Sequence, residues 1–482
     1  QKATQRKIPI VAIKVGKTEL AAELAQSHSG ALAGTDASYQ AVFDRYGVQR
    51  VDDMDQLATA LIMFAQPHVV AAGGLVSLHD SGGERQLTID LADQLTVPLA
   101  QLGGGTTREL ADLLDPGLPA INPLDAWGAG GDDADAEAAQ CLSAMLKDPA
   151  AAMGAVILDR APYGKIYPAY EAYLHAAHGA SGKPVFLVAN RQGNGADELA
   201  VSITQAGFPV LDGVSQFLKG AKCMLAYRDY LQAPQPTTVE LNTAKVTEWR
   251  QRLKSVSKSG GTIGELFSSA LLMDFGIPMA NAEAANSEAE ITALTPNLKY
   301  PVVLKTAAQG IAHKSEADGV VLALHDAVAV VTAYCQLATR LGPRTIVAPM
   351  VEAKGVEMLL GIASDQQFGP MVVLGIGGIH AEILKDTLVL LPPFDAVTAR
   401  RALDRLKMRA LLDGVRGEPA VDIDAYCEAA AILSAIAVAF KDEIKEVDIN
   451  PIKVLEQGCV GLDALLVMRE DNKSMSSDER DD

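Results

Sequence analysis

Residues 74–95 read GLVSLHDSGGERQLTIDLADQL. The short apolar run at the start predicts a buried strand, Ser81-Gly82-Gly83 a turn, and the stretch behind it a helix. The rhythm returns further on: VPLAQL (97–102), GAVILD (154–159) and KPVFLVAN (183–190) each read as a strand with a helical segment after it. Strands that alternate with helices in this way build a parallel sheet covered on both faces. This part of the chain is therefore expected to be a doubly wound α/β domain.

Working outward, IPIVAIKV (8–15) is rich in β-branched residues and reads as another buried strand. A polar loop, AQSHSGALAG (25–34), separates it from a helix over 35–46, and MDQLATALIMFAQ (54–66) is a further helical pattern. Downstream, residues 232–261 change character. APQPTTVE is Pro/Thr-rich and SVSKSGG is Ser/Gly-rich, so the stretch is expected to be a linker carrying one helix over 244–253. A last module then opens near Glu265. It holds strands at PVVLK (301–305), GVVLAL (319–324), TIVAPMV (345–351), EMLLGIASD (357–365) and PMVVLGIGG (370–378), and a closing pair, EVDINPIKVL and CVGLDALLVM. The predicted division is 1–66, 67–231, linker 232–261, 262–470, and an acidic polar tail, 471–482, expected to be disordered.

The chain has 482 residues, 49% of them hydrophobic and 21% charged, which suits several packed domains. Its net charge of -19 argues against a nucleic-acid backbone or an anionic membrane as partner. Cys141, Cys223, Cys335, Cys427 and Cys459 are scattered without metal spacing and read as free thiols of a reducing compartment. No apolar run is long enough to span a bilayer, so a cytoplasmic setting is expected. The chain opens on Gln1 and runs straight into a strand, from which an upstream portion is expected.

Several motifs carry chemistry. Lys305 closes an apolar strand, Glu352 follows another, Glu357 comes next, and Gly377-Gly378 lie in a glycine-rich loop suited to close approach of phosphates. EVDINPIKVLEQGCVGLDA (446–464) sets Asn450 one hairpin away from Asp463. Singly, a strand-end lysine is usually solvated and an Asn-Pro is usually a turn. In this order, over about 200 residues, they resemble the ATP-grasp module of the ADP-forming acyl-CoA synthetases, in the succinyl-CoA synthetase superfamily. The resemblance implies that Lys305, Glu352, Glu357, Gly377 and Gly378 bind ATP or ADP, and that Asn450 and Asp463 hold Mg²⁺. An oxygen pair of this kind suits that hard cation.

Two other stretches extend the resemblance. SHSGALAG, around His28, looks like the phosphohistidine loop of the superfamily, between a strand and a helix N-terminus that favours phosphate. HDSGGERQLTIDLAD with LGGGTTREL looks like the domain whose glycine-rich turn faces that histidine; here the turn is Ser81, Gly82, Gly83 and Glu84. NPLD gives Asn122 and Asp125, expected near the substrate, and His313 of the HKSE stretch matches a second histidine implicated in phosphate relay. Trp127 could line an acid pocket and hold an onium group by cation–π contact, with Glu171 a candidate base for elimination. The implied fold is flavodoxin-like doubly wound domains followed by an α+β ATP-grasp domain. The implied reaction joins a small carboxylic acid to coenzyme A, using ATP through a phosphohistidine. The CoA-binding portion would be supplied in cis or in trans, and a homo-oligomer is expected. Two other readings stand beside it: a dimethylsulfoniopropionate lyase of the same superfamily, and a ligand-sensing module of an acetyltransferase.

Overall fold

The computed structural model describes residues 2–18, 20–21, 35–66, 69–126, 128, 133–159, 166–193, 197–256, 261–308, 314, 317–378, 384 and 386–469. The chain divides into two compact units, Gln1–Ala22 with Phe43–Pro234, and Glu23–Val42 with Gln235–Asp482. Among the described residues no helix is long and apolar enough to cross a membrane.

In the first unit, β1 (Ile10–Ile13) and β2 (Val48–Val51) form a parallel pair. A five-stranded parallel sheet follows, built from β3 (Gly74–His79), β4 (Leu124–Asp125), β5 (Ala151–Leu158), β6 (Val185–Ala189) and β7 (Val210–Asp212), in the order β4-β3-β5-β6-β7. Every residue of β3, β5 and β6 is buried. The side-chain alternation of a strand explains how both faces are used. Val76 and Leu78 join the core under helices Ala134–Lys147 and Pro168–Ser181, while Leu75 joins the opposite core with Phe217 and Leu218 of helix Val214–Gln232. The strand order reverses direction at β3. In open parallel sheets such a switch point is where ligands bind, at the carboxyl ends of the strands.

The 97–102 stretch, expected as a strand, shrinks to one parallel bridge, Leu75↔Leu99. Leu75 N donates to Pro98 O and Ala100 N donates to Leu75 O, and the run ends there because Pro98 has no N–H with which to extend a ladder.

The second unit contains two antiparallel sheets. One runs β11-β10-β12-β9, from β9 (Glu283–Ala285), β10 (Val302–Thr306), β11 (Val320–Leu324) and β12 (Thr345–Pro349). The other is seven-stranded, with β8 (Thr262–Ile263), β13 (Gly355–Asp365), β14 (Gly369–Ile376), β15 (Thr387–Leu390), β16 (Ile444–Leu455), β17 (Cys459–Gly461) and β18 (Leu465–Met468). Helix Ile423–Ala439, buried along most of its length, packs on the larger sheet. The helix expected within a linker runs over Thr243–Val256 and belongs to this core: Trp249 and Leu253 are fully buried in it.

Candidate functional site

Chemistry-bearing groups gather at two places, one in each unit. In the second unit, Lys305 lies on β10, where its neighbours are Ile346 and Val320. Its Nζ donates to Glu265 Oε1 at 3.0 Å and to the Leu462 carbonyl at 2.6 Å, and lies 3.7 Å from Asp463 Oδ2. Glu265 opens helix Glu265–Asp274, and it is 7% exposed while Lys305 is 8% exposed. A second ammonium completes the cluster. Lys314 Nζ donates to Glu265 Oε2 and to both Asp463 oxygens, each at 3.0 Å. Two carboxylates and two ammoniums thus balance in a site largely withdrawn from water, where unpaired charge is costly. Burial pushes the Glu265 carboxyl up. It pushes Asp463 up too, but Lys305 and Lys314 overcome this and hold that carboxyl below the usual range.

Asp463 reaches the cluster because the chain leaves β17 at Gly461 and resumes in β18 at Leu465. Ile452 pairs with Gly461, and Leu462 N donates to Pro451 O. Asn450 and Asp463 are thereby brought to the same end of the β16–β17 hairpin. Asn450 Oδ1 accepts from Gly378 N at 3.1 Å. Gly378 has φ +68°, and a Cβ there would lie 2.0 Å from Glu357 Oε2; one at Gly377 would lie 2.4 Å from Met358 backbone. Both positions need glycine for the close passage of the loop over β13. Glu357 is exposed on β13 and Glu352 is exposed beyond the end of β12. Asn450 and Asp463 offer hard oxygen donors, and no group of three or more His, Cys, Asp or Glu residues that could hold a metal occurs among the described residues. An Asn and an Asp oxygen suit Mg²⁺, which commonly takes one or two protein ligands and completes its shell with nucleotide oxygens.

In the first unit the groups lie at the carboxyl ends of the parallel strands. Ser81 precedes helix Gly82–Leu95 without a side-chain cap, and Glu84 is in its first turn. Asp80 and Glu84 influence each other, Asp159 adds negative charge, and burial pushes both carboxyls up. A Cβ on Gly82 would come within 3.2 Å of Asp125 Oδ2. So Ser81, Gly82, Gly83, Glu84 and Asp125 assemble where β3 and β4 end. Asn122 has another occupation. Its Oδ1 accepts from Ser77 N, and its Nδ2 donates to Leu75 O and Ala100 O, so the amide knits three backbone segments together. Glu171 lies in the first turn of helix Pro168–Ser181, 3.7 Å from His175 Nε2. His28, His313 and Trp127 lie outside the described residues.

Comparison with known proteins bears on this geometry. The ATP-grasp domain profile matches residues 255–468, and that of the succinyl-CoA ligase like flavodoxin domain matches residues 1–64. The β subunit of ADP-forming acetate–CoA ligase II from Pyrococcus furiosus is 30% identical over 209 residues, 88% of its length and 41% of this chain. The chain belongs to the ADP-forming acyl-CoA ligase family. Similarity to other ligases of this family runs through almost the whole chain. ADP-forming acetate–CoA ligase I of Archaeoglobus fulgidus is 28% identical over 98% of this chain and 67% of its own length. ADP-forming 4-hydroxybutyrate–CoA ligase of Nitrosopumilus maritimus is 28% identical over 94% of this chain and 65% of its own length. This chain thus spans about two thirds of the length of these curated ligases.

Sequence reasoning missed Glu265 and Lys314. Glu265 looks like any acidic residue in the first turn of a helix, where the helix dipole favours negative charge. Lys314 stands next to His313 in the HKSE stretch, which drew attention for the histidine alone.

Proposed function

We propose that this chain carries the nucleotide, phosphohistidine and acyl-transfer sites of an ADP-forming acyl-CoA ligase acting on a small carboxylic acid. The observation that supports it most is the convergence of Lys305, Glu265, Lys314 and Asp463, with Asn450 and Gly378 at the same hairpin end. In this reading residues 1–66 and 67–231 are two flavodoxin-like domains and 262–470 form the ATP-grasp domain. The CoA pocket belongs to a portion supplied in cis or in trans.

The γ-phosphoryl group of ATP passes to a ring nitrogen of His28 and ADP leaves. The phosphoryl group then passes from His28 to the acid's carboxylate, forming an acyl phosphate. The thiolate of CoA attacks the acyl carbon and inorganic phosphate departs. Lys305 and Lys314 supply positive charge against the nucleotide phosphates, and Gly377-Gly378 let the backbone approach them. Asn450 and Asp463 would hold Mg²⁺, which when bound shields the phosphate charge. In the first unit the uncapped helix start at Ser81–Glu84 offers backbone N–H groups to the phosphoryl group. Asp80 and Glu84, whose carboxyls burial pushes up, stand beside that helix start. The resemblance gives His313 a part in the same phosphoryl relay.

The test is phosphoenzyme formation from γ-labelled ATP and Mg²⁺. An acid-labile, base-stable label that maps to His28 and vanishes in His28→Ala, with ADP binding retained, is expected. Bound nucleotide with no label, even with the CoA-binding portion restored, would overturn the reading and leave a ligand-sensing module.

A further inference from the structure

Lys314 is placed oddly for a phosphate-binding residue. Its ammonium bridges both oxygens of Asp463, the carboxylate that would hold the divalent cation, and one oxygen of Glu265. Its backbone carbonyl accepts from Gly319 N at 2.8 Å. Lys305 already serves Glu265 and the Leu462 carbonyl from the other side. The four side chains sum to zero charge. A divalent cation added to Asp463 with Lys314 in place would put two cations on one carboxylate, which like-charge repulsion opposes.

We propose that Lys314 is an exchangeable internal cation: it occupies the metal-binding face of Asp463 and gives it up to the divalent ion, its own ammonium passing to the nucleotide phosphates. This rests on reading the cluster as the nucleotide site. The exchange sets each added charge beside one of opposite sign. The metal replaces one ammonium on the carboxylates, and the displaced ammonium meets the extra negative charge brought by the nucleotide. Metal alone then binds weakly because it must displace Lys314 without compensation, whereas metal and nucleotide bind together. The site thus resists filling by a free divalent ion and favours the metal–nucleotide pair.

The test is a titration of the full chain with Mn²⁺ alone, without nucleotide, read by the EPR signal of free Mn²⁺. Lys314→Met is expected to bind Mn²⁺ about tenfold tighter than wild type, and the gain should disappear in Lys314→Met/Asp463→Asn. Lys314→Arg, which keeps the charge and can fork onto both Asp463 oxygens, should bind Mn²⁺ no tighter than wild type. It also decides the matter if the methionine variant does not fold, since an arginine variant that binds Mn²⁺ tighter than wild type contradicts the exchange. Equal or weaker Mn²⁺ binding by a folded Lys314→Met overturns it. ADP binding with Mn²⁺ present separates the two readings. If wild type binds no ADP, the nucleotide site itself is refuted; if it binds ADP while Lys314→Met leaves Mn²⁺ affinity unchanged, only the exchange fails.

Discussion

Lys305 is buried with its ammonium against Glu265, the Leu462 carbonyl and Asp463. Lys305→Met should therefore act twice. It removes a cation from the phosphate site, so ADP affinity should fall by about tenfold or more. It also leaves Glu265 short of a partner, which should cost about 3 kcal/mol of stability. Calorimetric titration with ADP and urea unfolding measure the two separately, and unchanged ADP affinity would remove Lys305 from the site. Gly378 makes a second prediction at this scale. With φ +68° and the Glu357 carboxylate in the way of a Cβ, Gly378→Ala should cost about 1–2 kcal/mol in urea unfolding. Adding Glu357→Ala relieves the clash and not the backbone strain, so recovery should be partial. Lys305, Asn450 and Asp463 were singled out in the sequence only because their order resembles that of an ATP-grasp domain. Glu265 and Lys314 were not. Glu265 meets Lys305 across 40 positions and Lys314 across 49, and no local pattern records such a meeting.

At the scale of elements, β3 was legible because a strand buried on both faces is apolar almost throughout. β2 was not: Val-Gln-Arg-Val is only four residues long, and half of it is polar. The polar end of β3 holds a further prediction. His79 is 1% exposed, its Nε2 shares a hydrogen bond with Ser77 Oγ at 2.9 Å, and its Nδ1 has no partner among the described residues. A proton on Nδ1 would bring a buried, unmatched charge. Burial, with a smaller contribution from Arg85, pushes the imidazole from 6.5 down to about 4. The unfolded chain then takes up a proton near pH 6.5 that the folded chain refuses until about pH 4. The stability held above pH 6.5 is lost as pH falls through that window, by about 3 kcal/mol from this residue. Asp80 and Glu84, whose carboxyls are raised, act with the opposite sign and gain as pH falls. The comparison with His79→Gln isolates the imidazole. Urea unfolding at a series of pH values should show wild type losing about 3 kcal/mol more than the variant between pH 6.5 and 4. Parallel curves would mean that His79 titrates normally.

At the scale of the whole molecule, the alternation of strands and helices made the α/β class legible, and the antiparallel second unit followed from the motif order that resembled an ATP-grasp domain. The edge of that unit was harder to see. Residues 232–261 have linker composition at both ends, and helix Thr243–Val256 between them is mostly polar. Its contribution rests on a few residues. Trp249 is fully buried, its Nε1 donates to Asp274 Oδ2 at 2.8 Å, its edge meets Phe267, and the Arg252 guanidinium lies 3.7 Å above its ring. Arg250 adds a bond to the Ala439 carbonyl at the end of the long core helix. A helix held in this way is part of the fold it precedes, and cutting it off exposes the surface it covered. Trp249→Ala should cost about 3–5 kcal/mol. A fragment of residues 235–469 should unfold in one cooperative urea transition. A fragment of 262–469, which lacks Trp249 and Leu253, should bind ANS and lose that cooperativity. If the shorter fragment unfolds as sharply and at the same urea concentration, the helix is a tether that merely rests on the domain, and the boundary lies where the linker composition ends.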